Sequence, residues 1–305
     1  MENNLQGFVI RTQSGFAWIH TQQGAVICRL RGKLKQHHRM SDILAVGDNV
    51  EISTSNGQEG MIEEVRPRTR VLSRLAPESR GVREQVLVAN PDQVILVFAC
   101  ANPEPHLRMV DRFLIGLEKH EIPTRIVVNK TDLARLIDVK ETFHLYETLG
   151  FPVHYVSAKN NEGLPDLLSI LSGKLSVLAG PSGVGKTSLL NALQPGLGGQ
   201  VREVSLATSK GVHTTQVREL FPLDAGGWRA DLPGIRSMGL WDIQPEELDG
   251  YFREIRDLVQ YCQFNDCTHR NEPGCAVRRA SEEGVIHPKR YDSYLRLRFG
   301  DEDAI

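Results

Sequence analysis

No stretch of this sequence is apolar enough to cross a membrane. The longest clean run, Val94 to Ala101, falls well short of the about 20 residues a spanning helix needs. The first residues, MENNLQ, lack the basic-then-apolar pattern of a secretory leader, so the cytoplasm is the expected compartment. Cysteine is scarce: five in 305 residues cannot make a disulfide scaffold. Neither sign of charge prevails, with 36 Lys+Arg against 38 Asp+Glu, so any affinity for nucleic acid must reside in local patches. Repeats and low-complexity segments are missing too. What remains is 40% hydrophobic and 24% charged, the balance of a globular protein with a sizeable core, which excludes bulk disorder. The length suits about two domains, or three small ones.

Three textures follow one another. Residues 1–72 read as five short strands (GFVIR, GFAWIHT, GAVICRL, DNVEIS, GMIEEVRP) parted by Gly, Ser, Asn and Gln. Five strands in this length predict a small barrel of the oligonucleotide/oligosaccharide-binding (OB) type. Within it, RLRGKLKQHHR carries Arg29, Arg31, Lys33, Lys35 and Arg39 with no acidic residue. Two readings stand side by side there, a solvated loop and a phosphate-contacting loop on an RNA-binding barrel. Residues 82–238 alternate short apolar runs with helical stretches near 107–119, 133–149 and 163–172, which predicts an α/β domain with a parallel sheet covered on both faces. Residues 240–305 read as mainly helical, with Leu248, Phe252, Ile255 and Val259 at helical spacing over 246–261 and a second helix over 288–299. Lone Cys28 and Cys100 are expected to be buried small residues.

The strongest motif is GPSGVGKT followed by Ser188. It lies between an apolar strand, LSVLA, and a helix, SLLNAL, which is the context a phosphate-binding loop requires. Gly180, Pro181, Ser182, Gly183, Val184 and Gly185 would wrap backbone N–H groups around phosphates at a helix N-terminus. Lys186 would reach the β- and γ-phosphates, and Thr187 would ligate Mg²⁺. NKTD after the strand IVV selects the base. Asp132 can accept two hydrogen bonds from the guanine N1–H and N2–H₂ edge, a donor pair adenine lacks. Lys130 would lie along the base and Asn129 would brace neighbouring loops. SAK (Ser157, Ala158, Lys159) again ends a strand, placing the Ala158 N–H for guanine O6. Downstream, DLPG offers Asp231 to the Mg²⁺ shell and the Gly234 N–H to the γ-phosphate, and GVHTTQ offers Thr214 or Thr215 as a second Mg²⁺ ligand; both threonines qualify. The order is permuted, with the base-reading motifs ahead of the phosphate loop, as neighbouring termini in a compact domain allow. DLPG therefore leads within about ten residues into the C-terminal domain, which loss of the γ-phosphate would be able to move directly.

Cys262, Cys267, His269 and Cys275 supply three thiolates and an imidazole within fourteen residues. This is a full tetrahedral set for one structural Zn²⁺, with no position left for substrate. His269 rather than His287 takes the ligand role because it lies inside the cluster. Arg270, Arg278, Arg279, Lys289, Arg290, Arg296 and Arg298 nearby are candidate RNA contacts, interspersed with acidic residues.

A permuted GTPase domain behind an OB-like barrel and ahead of this Cys/His cluster resembles the RsgA/YjeQ family of ribosome small-subunit-dependent GTPases over nearly the whole chain. The resemblance implies a monomeric enzyme that binds the 30S subunit and its 16S rRNA late in assembly. It hydrolyses GTP to GDP and phosphate faster when bound, and then leaves. Ile235 stands where many GTPases have the Gln that orients water, and the resemblance makes His213 the candidate for that role. Lys186, Thr214, Thr215 and Gly234 complete the expected catalytic set. Family members usually show GRHTTT and DTPG; GVHTTQ and DLPG here keep the Gly, His, Thr and Asp that the chemistry uses. A second reading shares these residues, a nucleotide-gated RNA-binding switch with slow turnover and a different activator; a third is an ATP-using P-loop kinase, against which NKTD and SAK argue.

Overall fold

The computed structural model describes residues 3–35, 43–55, 57–75, 84–197, 218–231 and 243–300. Five strands open the chain: β1 (Asn3–Gln13), β2 (Phe16–Thr21), β3 (Gly24–Leu30), β4 (Asn49–Thr54) and β5 (Glu59–Val65). They pair in the order β1-β2-β3-β5-β4, and β1 also pairs with β4, so the sheet closes into a barrel as expected. Strict alternation drives this. Along β2, Ala17, Ile19 and Thr21 point inward while Phe16, Trp18 and His20 lie on the outer face. The basic stretch after β3 forms a short 3₁₀ turn at Gly32–Lys35; Arg29 stacks 4.5 Å over Phe16, and Arg31 pairs with Glu63 at 3.0 Å. Arg39 lies outside the described residues. A separate two-stranded ribbon, β6 (Val71–Leu75) with β7 (Glu84–Ala89), follows the barrel.

The next strands are β8 (Gln93–Ala99), β9 (Thr124–Asn129), β10 (Val153–Tyr155), β11 (Leu175–Ala179), β12 (Arg218–Pro222) and β13 (Trp228–Asp231). Their order is β10-β9-β8-β11-β13-β12. All neighbours run parallel except β12, which returns antiparallel to β13. Every residue of β8 is buried, as a central strand covered on both faces requires. Helices α1 (Leu107–Lys119), α2 (Leu136–Thr148), α3 (Leu164–Leu171) and α4 (Lys186–Leu193) connect the strands.

Sequence periodicity missed one feature here. β12 pairs on its free edge with β1, Arg11 opposite Glu219, so the barrel and the α/β sheet are one eleven-stranded system. Trp228 of β13 packs edge-on against Phe8 and His20 of the barrel, at 5.3 and 5.0 Å between ring centroids.

The C-terminal region holds α5 (Leu248–Tyr251), α6 (Arg253–Arg256), α7 (Ala276–Glu282) and α8 (Pro288–Phe299). The single helix expected over 246–261 is broken. Phe252 is extended, with φ −90° and ψ 107°, between α5 and α6. Leu248, Phe252 and Ile255 still share one core with Tyr294, so burial holds while the backbone bends. The break also suits Arg253, which turns to the α/β domain. Its Nη2 meets Glu118 at 2.6 Å, its Nη1 donates to the Leu149 carbonyl at 3.1 Å, and its guanidinium lies 3.8 Å over Phe151.

Candidate active site and metal centre

Because β8, β9, β10, β11 and β13 are parallel, their C-terminal ends share one edge, and open α/β sheets bind ligands at that edge. Asn129 closes β9, Ser157 follows β10, Gly180 follows β11 and Asp231 closes β13, its backbone beside Leu178. Motifs far apart in sequence are thereby neighbours.

Asn129 is the junction. Its Nδ2 donates to the Val184 carbonyl in the phosphate loop at 3.0 Å, and its Oδ1 accepts from the Ala158 N–H at 3.2 Å. One buried amide thus ties NKTD to the phosphate loop and to SAK. The Ala158 N–H expected at guanine O6 is held by this bond, so a base would have to share it. Lys130 lies left-handed, φ 64°, and its Nζ donates to the Gly183 carbonyl at 2.7 Å and to that of Asn102. Asp132 accepts from Ser157 Oγ at 2.6 Å and has Lys159 Nζ at 3.7 Å. The Ser157 hydrogen bond holds the carboxyl below its ordinary value of 3.8, so it stays ionised and acceptor-only, the state expected for the proposed contact with two guanine donors.

Two glycines are set by contact. At Gly180, φ +140°, an added Cβ would meet the Val97 carbonyl oxygen at 2.1 Å; at Gly185, φ +89°, it would meet Asn129 Nδ2 at 2.6 Å. The close backbone approach that forms the cradle therefore requires glycine at both. Val184 is buried, whereas Ser182, Thr187 and Ser188 are exposed around the first turn of α4. Lys186 Nζ donates to the Gly180 and Pro181 carbonyls at 2.8 and 2.6 Å, folded back over its own loop. His213, Thr214, Thr215 and Gly234 lie outside the described residues, as do Val212, Leu232 and the side chain of Asp231.

Cys100 is only half-buried, against the expectation of a core position, and its Sγ donates to the Lys130 carbonyl at 2.9 Å. It braces the base-reading loop. Cys28 is buried in the barrel as expected, and burial pushes its thiol up to about 12.

The second site lies between α6 and α7. The ligand atoms of Cys262, Cys267, His269 and Cys275 all fall within 4.8 Å of one another. Cys262 and Cys275 Sγ are 4.0 Å apart, and His269 Nδ1 is 3.6 and 3.4 Å from them. A tetrahedral zinc with its usual bond lengths would set these edges at about 3.8 and 3.6 Å. The residues fit the ion. Burial pushes the Cys267 thiol up to about 12 and raises that of Cys275, so a bound cation is what would make them thiolates.

Glu272, not singled out by its sequence, orders the knuckle. Its carboxylate accepts from the Thr268 N–H and hydroxyl and from the Arg270 and Asn271 N–H groups. Burial alone would raise its pKa, but these bonds hold it at about 2. Gly274 is left-handed, and a Cβ there would meet Gln263 Oε1 at 2.4 Å.

Arg290 and Arg298 are not the RNA contacts their sequence suggested. Arg290 is buried on α8. Its Nη1 meets Asp111 of α1 at 2.6 Å, and its Nε and Nη2 meet Glu254 at 2.6 and 3.2 Å. Tyr146 donates to the same Asp111 oxygen at 2.9 Å. Arg298 is nearly buried and donates to the Tyr294 hydroxyl at 2.6 Å. Arg278 and Arg296 pair with Glu282 and Asp292 one turn away.

The fold and site define a P-loop GTPase whose NKTD and SAK motifs precede its phosphate loop, joined to a β-barrel and a Cys₃His cluster that fits a metal ion. Family models for the RsgA GTPase and the RsgA N-terminal domain match residues 65–241 and 6–62. The Small ribosomal subunit biogenesis GTPase RsgA of Gemmatimonas aurantiaca is 43% identical, covering 98% of each chain. The crystal structure of YjeQ from Thermotoga maritima superposes with a TM-score of 0.80 at 36% identity, covering 98% of each chain. That of YloQ, described as a circularly permuted GTPase, gives 0.75 at 29% identity over 99% of this chain and 98% of that one. The chain belongs to the RsgA family of GTPases. Among the described residues no helix is long and apolar enough to cross a membrane.

Proposed function

We propose that this chain hydrolyses GTP in the cytoplasm while bound to the small ribosomal subunit late in assembly, contacts its 16S rRNA, and leaves when turnover is complete. The observation that carries the nucleotide half is the Asn129 amide, which joins phosphate loop, NKTD and SAK into one site. Support for the ribosomal half is the family itself, with relatives named for small-subunit biogenesis.

On this reading residues 1–72 form the RNA-binding barrel, 82–238 the GTPase and 240–305 the zinc domain of a monomer. Asp132 and Ala158 read guanine, with Lys130 along the base and Asn129, Ser157 and Lys159 supporting them. Residues Gly180–Ser188 cradle the phosphates. Thr187, Asp231 and Thr214 or Thr215 hold Mg²⁺, which supplies charge neutralisation at the phosphates. The Gly234 N–H meets the γ-phosphate, His213 orients the attacking water and Lys186 steadies the charge that develops. Cys262, Cys267, His269 and Cys275 hold one Zn²⁺, whose binding contributes folding free energy.

The testing experiment is GTP and ATP hydrolysis by the purified protein, with and without small subunits, with Lys186→Ala as the blank. Stimulation of GTP turnover alone, by small subunits alone, is expected. GTP binding without stimulation would favour the switch with another activator, and ATP turnover would overturn the guanine assignment.

A further inference from the structure

The His269 ring is wholly buried and shows two different edges to its surroundings. Nδ1 faces the thiols of Cys262 and Cys275, so it is the nitrogen a zinc ion in the cluster would take. A neutral imidazole bound to a metal through one nitrogen carries its proton on the other. That other nitrogen, Nε2, faces the Asp249 carboxylate on α5, with Oδ2 at 3.5 Å. The ring has little freedom to exchange its edges. Its backbone is left-handed at φ 62°, its carbonyl accepts from the Tyr291 hydroxyl, and the Tyr294 ring lies 5.8 Å away.

Asp249 is itself held. The same Oδ2 lies 3.6 Å from Arg298 Nη1, which donates to the Tyr294 hydroxyl on α8. The carboxylate thus stands between the imidazole and the last helix, on an element that carries none of the four ligands. A carboxylate behind a metal-bound histidine fixes the tautomer, fixes the ring plane and makes the ligating nitrogen more basic.

We propose that Asp249 is a positioning residue of the metal centre, its carboxylate accepting a hydrogen bond from His269 Nε2–H when zinc is bound and thereby setting how tightly the cluster holds the ion. The inference rests on the zinc reading above, and the experiment separates the two. Zinc affinity is measured in the full-length protein by competition with a chromogenic chelator, for the parent, Asp249→Asn, Asp249→Ala and Arg298→Met. The Co²⁺-substituted proteins give ligand-field spectra, and unfolding of the metal-free forms gives a stability control.

Asp249→Ala is expected to weaken zinc binding about 10- to 100-fold. Asp249→Asn, which keeps an acceptor and loses the charge, should fall between it and the parent and shift the Co²⁺ bands, by more than the change in metal-free stability from leaving Arg298 without its carboxylate accounts for. Arg298→Met keeps the carboxylate facing Nε2, so it should weaken zinc binding less than Asp249→Ala does; an equal loss would mark the effect as packing and overturn the proposal. An Asp249→Asn affinity equal to the parent's overturns the proposal, and this variant decides if Asp249→Ala fails to fold. A parent that binds no zinc removes the metal reading and this assignment with it. A parent that binds zinc beside an indifferent Asp249→Asn removes the assignment alone.

Discussion

At the C-terminal edge of the central sheet, one neutral amide, Asn129, holds three loops together with bonds of 3.0 and 3.2 Å. Against α1, one cation, Arg290, holds Asp111 and Glu254 with bonds as short as 2.6 Å. The first junction is a neutral amide, beside which Lys130 also reaches the phosphate loop at the Gly183 carbonyl. The second is a desolvated charge network, strong when complete and costly when one member is removed. The C-terminal region is thereby fixed to the helix that carries it. A change at the γ-phosphate would therefore have to work against Arg290 and Arg253 to move that region. The barrel offers a second route, because β12 and Trp228 link the strand ending at Asp231 directly to β1 and β2.

Removing the metal should give the largest effect, since structural zinc contributes on the order of 10 kcal/mol to small domains. Chelation is expected to expose amides over 243–300 to hydrogen exchange while guanine nucleotide still binds. Equal protection with and without chelator would erase the contrast between the two regions. Arg290→Met comes next. It leaves Asp111 and Glu254 buried without their cation and should cost about 3–5 kcal/mol in denaturant unfolding. GTP affinity measured below the transition should be unchanged.

Asn129→Ala tests the weaker junction. Loss of one buried partner costs about 1–3 kcal/mol, so GTP and GDP should bind about 5- to 150-fold more weakly, with unfolding changed less than for Arg290→Met. The smallest effect belongs to Ser157→Ala. The Asp132 pKa is depressed, so its charged form, and the guanine affinity that depends on it, is full above 3.8 and is lost as pH falls through the depressed value. Removing Ser157 should move that acid loss to higher pH in nucleotide-binding titrations and leave neutral-pH affinity nearly intact.

The two regions were also unequally legible in sequence. The nucleotide loops need particular residues at particular backbone positions. Gly180 and Gly185 have no room for a Cβ, and Asp132 is hydrogen-bonded to Ser157 across two motifs, so these motifs stand out in one sequence. The Cys and His ligands are legible for the same reason of chemistry. Arg290 and Asp111 are 179 residues apart and meet only through the packing of α8 on α1. In sequence, Arg290 is one basic residue among several and reads as surface. Asp249 and Glu272 are likewise common acids until the fold shows what faces them. The break at Phe252 was hidden because the apolar spacing of a continuous helix and of two short ones is the same here. The β1–β12 pairing was hidden because backbone hydrogen bonds between edge strands leave little mark on side-chain pattern.

The most direct test of the assembled site asks whether Asp132 reads the base. Xanthine carries a carbonyl where guanine carries the 2-amino group, so an amide at residue 132 can donate to what the carboxylate could not accept from. Calorimetric titration of GTP, XTP and ATP into the parent and Asp132→Asn gives the answer. If Asp132 reads the base, the parent prefers GTP, Asp132→Asn prefers XTP, and both bind ATP weakly. An Asp132→Asn protein that still prefers GTP by the parent's margin would contradict that reading.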